Sequence, residues 1–275
     1  MITRPGSEPP HLFRATLPLA KPLLTYVILG VIAVLWLLTE VTGGSTNSRN
    51  MVRWGANFAP LVTEGEFWRL LTANWLHFGV QHIMFNGYSL YALGTQVESL
   101  FGPKRFMAIY LLSGVSGSLA SYVLTNGLSA GASTSLFGLF GALVVFFYRQ
   151  RELLGGTSQR QLQHLGIVLL VNVVLGFLPG SNIDNWGHAG GFVGGAALAW
   201  FLAPTYIRTD PFSRAFGGVL PGYKRPELAN DDITDTNTIG KQALVLGVFV
   251  VALAALTILA ASAYGYSGAG ALIQP

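Results

Sequence analysis

Seven apolar runs, at residues 23–42, 80–100, 105–125, 133–148, 164–179, 186–206 and 240–264, dominate this chain. Each reaches or nears the roughly 20 residues that an α-helix needs to cross a bilayer. Hydrocarbon offers backbone groups no hydrogen-bond partner, so such runs form helices that satisfy their own. Of the 275 residues, 51% are hydrophobic and 10% charged, with mean hydropathy +0.50. That leaves too few polar side chains to clothe a water-soluble domain of this size. The expected fold class is all-α, a polytopic membrane helix bundle.

The net charge of +4 does not point to nucleic acid, because the basic residues stand in short segments between the apolar runs. If the runs alternate in direction, thirteen of the sixteen Lys and Arg fall on one side, and only Arg49, Arg53 and Arg69 on the other. The positive-inside rule then puts the N-terminus in the cytoplasm and the C-terminus outside. The first run is too long for a signal-peptide core and reads as a retained anchor; the N-terminus lacks transit-peptide character, which favours a bacterial plasma membrane. With no cysteine, disulfides, thiolate metal sites and cysteine catalysis are excluded. The expected organisation is a short cytoplasmic tail at 1–22, a six-helix core at 23–206, a flexible cytoplasmic linker at 207–239, and a seventh helix with an outer tail at 240–275.

Polar residues at the outer ends of three runs carry the chemistry. In Gly131-Ala-Ser-Thr-Ser-Leu-Phe-Gly, a glycine turn leads into a helix beginning near Ser133, where unpaired N–H groups and a partial positive charge would meet a developing oxyanion. His188 stands in the first turn of the sixth run, followed by Gly191 and Gly195 on the same face. Packing of that face on Gly138, Gly141 and Ala142 would bring His188 beside Ser133, with Phe137 positioned to stack on the imidazole. His82 and Asn86, four apart, share a face of the second run and aim their donors at one point. His77, five residues before His82, does not suit a zinc pair on one face, and no His-Glu-x-x-His occurs, so no metal or cofactor is expected. Asp184, one turn before His188, reads as a helix cap or solvated residue, with a third catalytic member as the alternative, and Ser113, Gly117 and Ser121 read as a packing stripe. Trp68-Arg69 reads as an aromatic belt with a snorkelling arginine, and Glu98 and Arg105 as a charged clamp around a Gly-Pro turn.

Taken together, Gly131-Ala-Ser133 with Phe137-Gly138, His188-x-x-Gly191-x-x-x-Gly195, His77-x-x-x-x-His82-x-x-x-Asn86, Trp68-Arg69 and Glu98-x-x-x-Gly102-x-x-Arg105 resemble the rhomboid intramembrane serine proteases. The resemblance covers the first six runs in order. It implies a six-helix rhomboid-like core, to which the seventh helix is added, and a Ser133/His188 dyad. It also implies oxyanion donors from Ser133, His82 and Asn86, and cleavage of transmembrane protein substrates near their outer end. Partners would be those substrates and the lipid bilayer, with no nucleic acid; substrates would arrive sideways, near the second and fifth spans.

Two positions depart from the pattern. Many members have Gly where Thr134 stands, whose branched side chain would narrow the recess or alter the turn, and Tyr where Phe137 stands, so that ring stacking survives without the phenolic hydroxyl. Two other readings accompany the protease: a non-catalytic relative that binds membrane segments, expected to lack Ser133 or His188, and a channel lined by His82, Asn86 and His188. The channel would require polar groups through the whole depth, yet the cytoplasmic halves of the second, fourth and sixth runs are apolar or glycine-rich.

Overall fold

The computed structural model describes residues 17, 19–125, 127–179, 181, 183–209, 232–237 and 239–266. Most of the expected N-terminal tail, the middle of the expected linker, Gly180 and Asn182, and the basic residues Arg4, Arg14, Arg214, Lys224 and Arg225 lie outside them.

A first helix, α1 (Leu23–Val41), leads into an outer segment built from three short helices, α2 (Ser48–Trp54), α3 (Ala59–Thr63) and α4 (Arg69–Thr72), and a 3-10 turn at Ala73–Trp75. Then follow α5 (Gly79–Ser89), one π-helical turn at Leu90–Gly94, α6 (Thr95–Phe101), α7 (Pro103–Thr125), α8 (Ser133–Arg149) and α9 (Arg151–Leu154). Helices α10 (Gly156–Gly176), α11 (Asn185–Leu202) and α12 (Ile239–Tyr266) complete the bundle. Every expected apolar run is a helix, although α10 starts at Gly156 rather than at 164. By length and composition Leu23–Val41, Pro103–Thr125 and Gly240–Tyr264 can each cross a membrane, and Ser133–Arg149 is a shorter apolar helix. Glycine, Gln, His and Asn dilute the hydropathy of α5, α10 and α11.

The centre of the bundle is the trio α7, α8 and α11, where Ile109, Tyr110, Leu139, Leu143, Phe146 and Leu198 are fully buried. Glycine makes this packing possible. A Cβ on Gly195 would collide with the Gly138 carbonyl, one on Gly141 with the Phe192 carbonyl, and one on Gly191 with the Thr134 carbonyl. Backbones therefore touch directly, and α8 has an apolar, small-residue seam that α11 presses into.

The outer segment between α1 and α5 is itself folded. Asn47 caps α2, accepting from Arg49 N and Asn50 N, and Asn57–Phe58 pairs antiparallel with Leu128–Ser129, fastening the segment to the loop before α8. Arg69 does not snorkel. It is buried, donates to Glu66 Oε2 at 2.6 Å, to the Val52 carbonyl at 2.7 Å and to the Ala56 carbonyl at 3.1 Å, and lies 4.6 Å from the Trp68 ring. A guanidinium with five donors can satisfy several carbonyls that apolar neighbours cannot, which is why burial wins here over solvent.

Glu98 and Arg105 do not pair with each other. The buried Glu98 carboxylate accepts from Leu24 N, Thr25 N and Thr25 Oγ1, closing the start of α1, where free N–H groups attract an anion. Arg105 instead meets Asp235 at 2.6 Å and donates to the Asn237 carbonyl. The ends of the 207–239 segment are ordered: Tyr206–Thr209 and Asp232–Asp235 form an antiparallel ribbon. The Tyr206 hydroxyl donates to the Leu100 carbonyl, and Asn237 Nδ2 donates to the Phe201 and Ala203 carbonyls. Above this ribbon, α12 packs Phe249, Leu253, Ala260 and Tyr264 against Val62, Leu70, Leu119 and Tyr122. The seventh helix thus bridges the ribbon and the outer segment.

Candidate functional site

The turn before α8 is fixed by three backbone constraints. Gly131 has φ +148°, a conformation that L side chains rarely adopt, and its N–H donates to the Ala73 carbonyl at 2.9 Å. Ala132 N donates to His77 Nε2 at 3.3 Å, so the buried His77 holds the turn from beneath. Ser133 then opens α8, and no side chain caps that end among the described residues. The N–H groups of its first turn are left without an intrahelical partner.

His82 and Ser133 meet across this glycine. A Cβ on Gly131 would lie 2.7 Å from His82 Cε1, 2.8 Å from His82 Nε2 and 3.6 Å from Ser133 Oγ. His82 Nδ1 accepts from Phe78 N at 3.3 Å, so a neutral ring carries its proton on Nε2, the edge facing the recess. Its ring stands edge-on to His77, with centroids 5.3 Å apart. One turn along α5, Asn86 is buried and its Nδ2 has no hydrogen-bond partner among the described residues. A buried amide donor left open in this way is rare outside sites that bind something.

His188 reaches the same place from α11. Asp184 caps that helix, its Oδ1 accepting from Gly187 N at 2.8 Å. The His188 ring lies flat on Phe137, with centroids 4.2 Å apart and planes 15° from parallel. Phe137 stands one turn after Ser133, and the close approach of Gly191 to the Thr134 backbone aligns the first turns of α8 and α11. Gly195 repeats the contact one turn further on, against Gly138. His188 lies within electrostatic reach of both Asp184 and His82. Among the described residues no hydrogen bond joins Ser133 Oγ to the His188 ring, and both side chains are half-buried.

Ser133 and His82 thus lie together at Gly131, His188 stacks on Phe137 one turn along α8, and the open amide of Asn86 stands one turn from His82. Two further polar residues border this site: His77, which belongs to the His-x-x-x-x-His spacing of the resemblance and bonds Ala132 N, and Asn74, an amide in an apolar stretch that carries no motif and bonds Thr134. Thr134 does not narrow the recess. Its hydroxyl donates to Asn74 Oδ1 and its side chain is buried against α7.

Comparison with known proteins matches a family model described as Rhomboid domain to residues 64–205, just over half of the chain. The chain is 41% identical over 175 residues to rhomboid protease GluP of Bacillus subtilis, covering 64% of this chain and 34% of GluP. It is 38% identical over 162 residues to RHOMBOID-like protein 5 of Arabidopsis thaliana, covering 57% of this chain and 52% of that protein. With YdcA of Bacillus subtilis it shares 33% identity over 181 residues, covering 65% of this chain and 87% of YdcA. The chain thus spans about a third of GluP and about half of the Arabidopsis protein. Fold, motif order and this match across the helical core agree: the chain belongs to the rhomboid family.

Proposed function

We propose that this chain is an intramembrane serine endopeptidase that cleaves transmembrane protein substrates near their outer end through Ser133 and His188. Its proposed setting is a bacterial plasma membrane, and the excess of Lys and Arg on one side of the apolar runs supports a cytoplasmic N-terminus. The observation that carries the reading is the convergence on Gly131, with Ser133 Oγ and His82 Nε2 on either side of it and the Phe137-stacked His188 adjoining. A match to relatives named rhomboid proteases supports the same chemistry.

In the reaction, Ser133 Oγ attacks the scissile carbonyl carbon while His188 takes the hydroxyl proton. The carbonyl oxygen becomes an oxyanion, held by the Ser133 backbone N–H, the His82 Nε2–H and Asn86 Nδ2. The C–N bond then breaks, and His188 returns the proton to the leaving amine. A water molecule, deprotonated by His188, attacks the acyl ester and releases the new carboxylate with Ser133 restored. Phe137 supports this sequence by holding the imidazole plane, and Asp184 by fixing the start of the helix that carries it. The missing Ser133–His188 hydrogen bond is compatible with this role, because such bonds often tighten only when substrate is bound.

The test is cleavage of a single-span reporter in proteoliposomes. Ser133→Ala and His188→Ala should each lower the rate at least about a thousandfold with the folded fraction unchanged. Retained cleavage by either variant would overturn the assignment.

A further inference from the structure

We infer that Thr134 and Asn74 form a positioning pair that sets the placement of Ser133 against His188, an inference that rests on the reading just given. Asn74, in the 3-10 turn of the outer segment, is buried, and its amide orientation is fixed by its surroundings. Its Nδ2 donates to the Leu70 carbonyl at 2.8 Å and to Ser118 Oγ of α7 at 3.1 Å. Leu70 offers only an acceptor, so the amide nitrogen must face it, and Oδ1 must be the atom facing Thr134. The Thr134 hydroxyl is therefore the donor, and one amide ties the outer segment, α7 and the first turn of α8 together.

The rest of the Thr134 side chain is equally constrained. A Cβ on Gly117 of α7 would lie 2.6 Å from Thr134 Cβ and 2.5 Å from the Gly187 carbonyl. Gly117 thus sits between the immediate neighbour of Ser133 and the immediate neighbour of His188. On its other side the Thr134 backbone bears on Gly191. Thr134 is a spacer gripped by α7 and α11, and its hydroxyl bond to Asn74 fixes its rotation. A glycine at 134 would have neither the spacer nor the bond. Small misplacements of a nucleophile relative to its base lower turnover far more than binding.

The pair is tested in the full chain with the reporter assay, taking kcat and KM separately, alongside thermal unfolding and the rate of fluorophosphonate labelling at Ser133. Thr134→Val keeps the shape and removes the donor; it should lower kcat and labelling rate about tenfold with KM within about twofold, the size expected when a buried acceptor loses its partner. Thr134→Ser keeps the donor and should return kcat to within about threefold of the starting chain. Asn74→Ala should lower kcat to a similar extent, and Thr134→Val combined with Asn74→Ala should be no slower than the worse single variant, because coupled residues are non-additive. Full kcat in Thr134→Val, a loss confined to thermal stability, or additive effects in the double variant would overturn the pair while leaving the protease reading intact. A starting chain that neither cleaves the reporter nor labels at Ser133 would overturn the protease reading, and this inference with it.

Discussion

Two of the helices that flank α8, α11 and α10, are packed against it in opposite ways. Against α11, backbone meets backbone, and Gly138, Gly141, Gly191 and Gly195 leave no room for a methyl group. Against α10, contact runs through side chains: Leu165 is buried, while Ile167, Leu170, Val171, Val174 and Phe177 stand exposed on an apolar face. Leu162, Val168 and Leu169 pack on the core, and hydrogen bonds join α10 to its surroundings near its ends, by Ser158 Oγ donating to the Phe147 carbonyl and by Asn185 Nδ2 and Ser181 Oγ donating to the Gly176 carbonyl. One interface is a close glycine seam that brings the first turns of α8 and α11 together, and the other is a flank whose outer face is exposed apolar side chains.

The comparison breaks first at Gly195. Leu at this position would force α11 away from the Gly138 carbonyl, costing about 3 kcal/mol or more of stability and abolishing reporter cleavage, as thermal unfolding and the same assay would record. A variant that stayed stable and active would mean that the tight seam is not required. Next comes the recess wall. Asn86→Ala removes a buried open donor and should lower kcat about a hundredfold with little change in KM, the usual effect of losing one oxyanion donor. A rise in KM alone would instead make Asn86 a substrate-binding group. The smallest effect belongs to the loose flank. Leu170→Ala on the exposed face of α10 should shift stability by no more than about 0.5 kcal/mol and leave cleavage within about twofold, because no packed neighbour loses a contact. A large loss there would show that α10 is held as tightly as α11.

Much of this was legible in the sequence because membrane helices announce themselves by length and apolarity, and because glycine spacing declares which faces can touch. The face formed by Gly191 and Gly195 identified Gly138 and Gly141 as its partner surface, and the two are in contact. Side chains that reach across long separations were not legible. Nothing near Glu98 says that its carboxylate closes α1, some seventy residues earlier in the chain, since the partners are backbone N–H groups common to every residue. Arg69 was misread for the same reason: its main acceptors are the Val52 and Ala56 carbonyls, and carbonyls leave no mark in a sequence. The ribbon at 206–209 and 232–235 was hidden by a composition of Asp, Thr and Asn that ordinarily marks loops, although Arg105 anchors it through Asp235.

Fluorophosphonate labelling followed by peptide mapping tests the central claim most directly, because Ser133 and Ser135 lie on one helix and report on one reagent. Ser135 is buried and its hydroxyl has no partner among the described residues, whereas Ser133 opens to the recess. The expected result is modification of Ser133 alone, lost in His188→Ala. Modification of Ser135, or of neither serine, in a chain shown to cleave its reporter would contradict it.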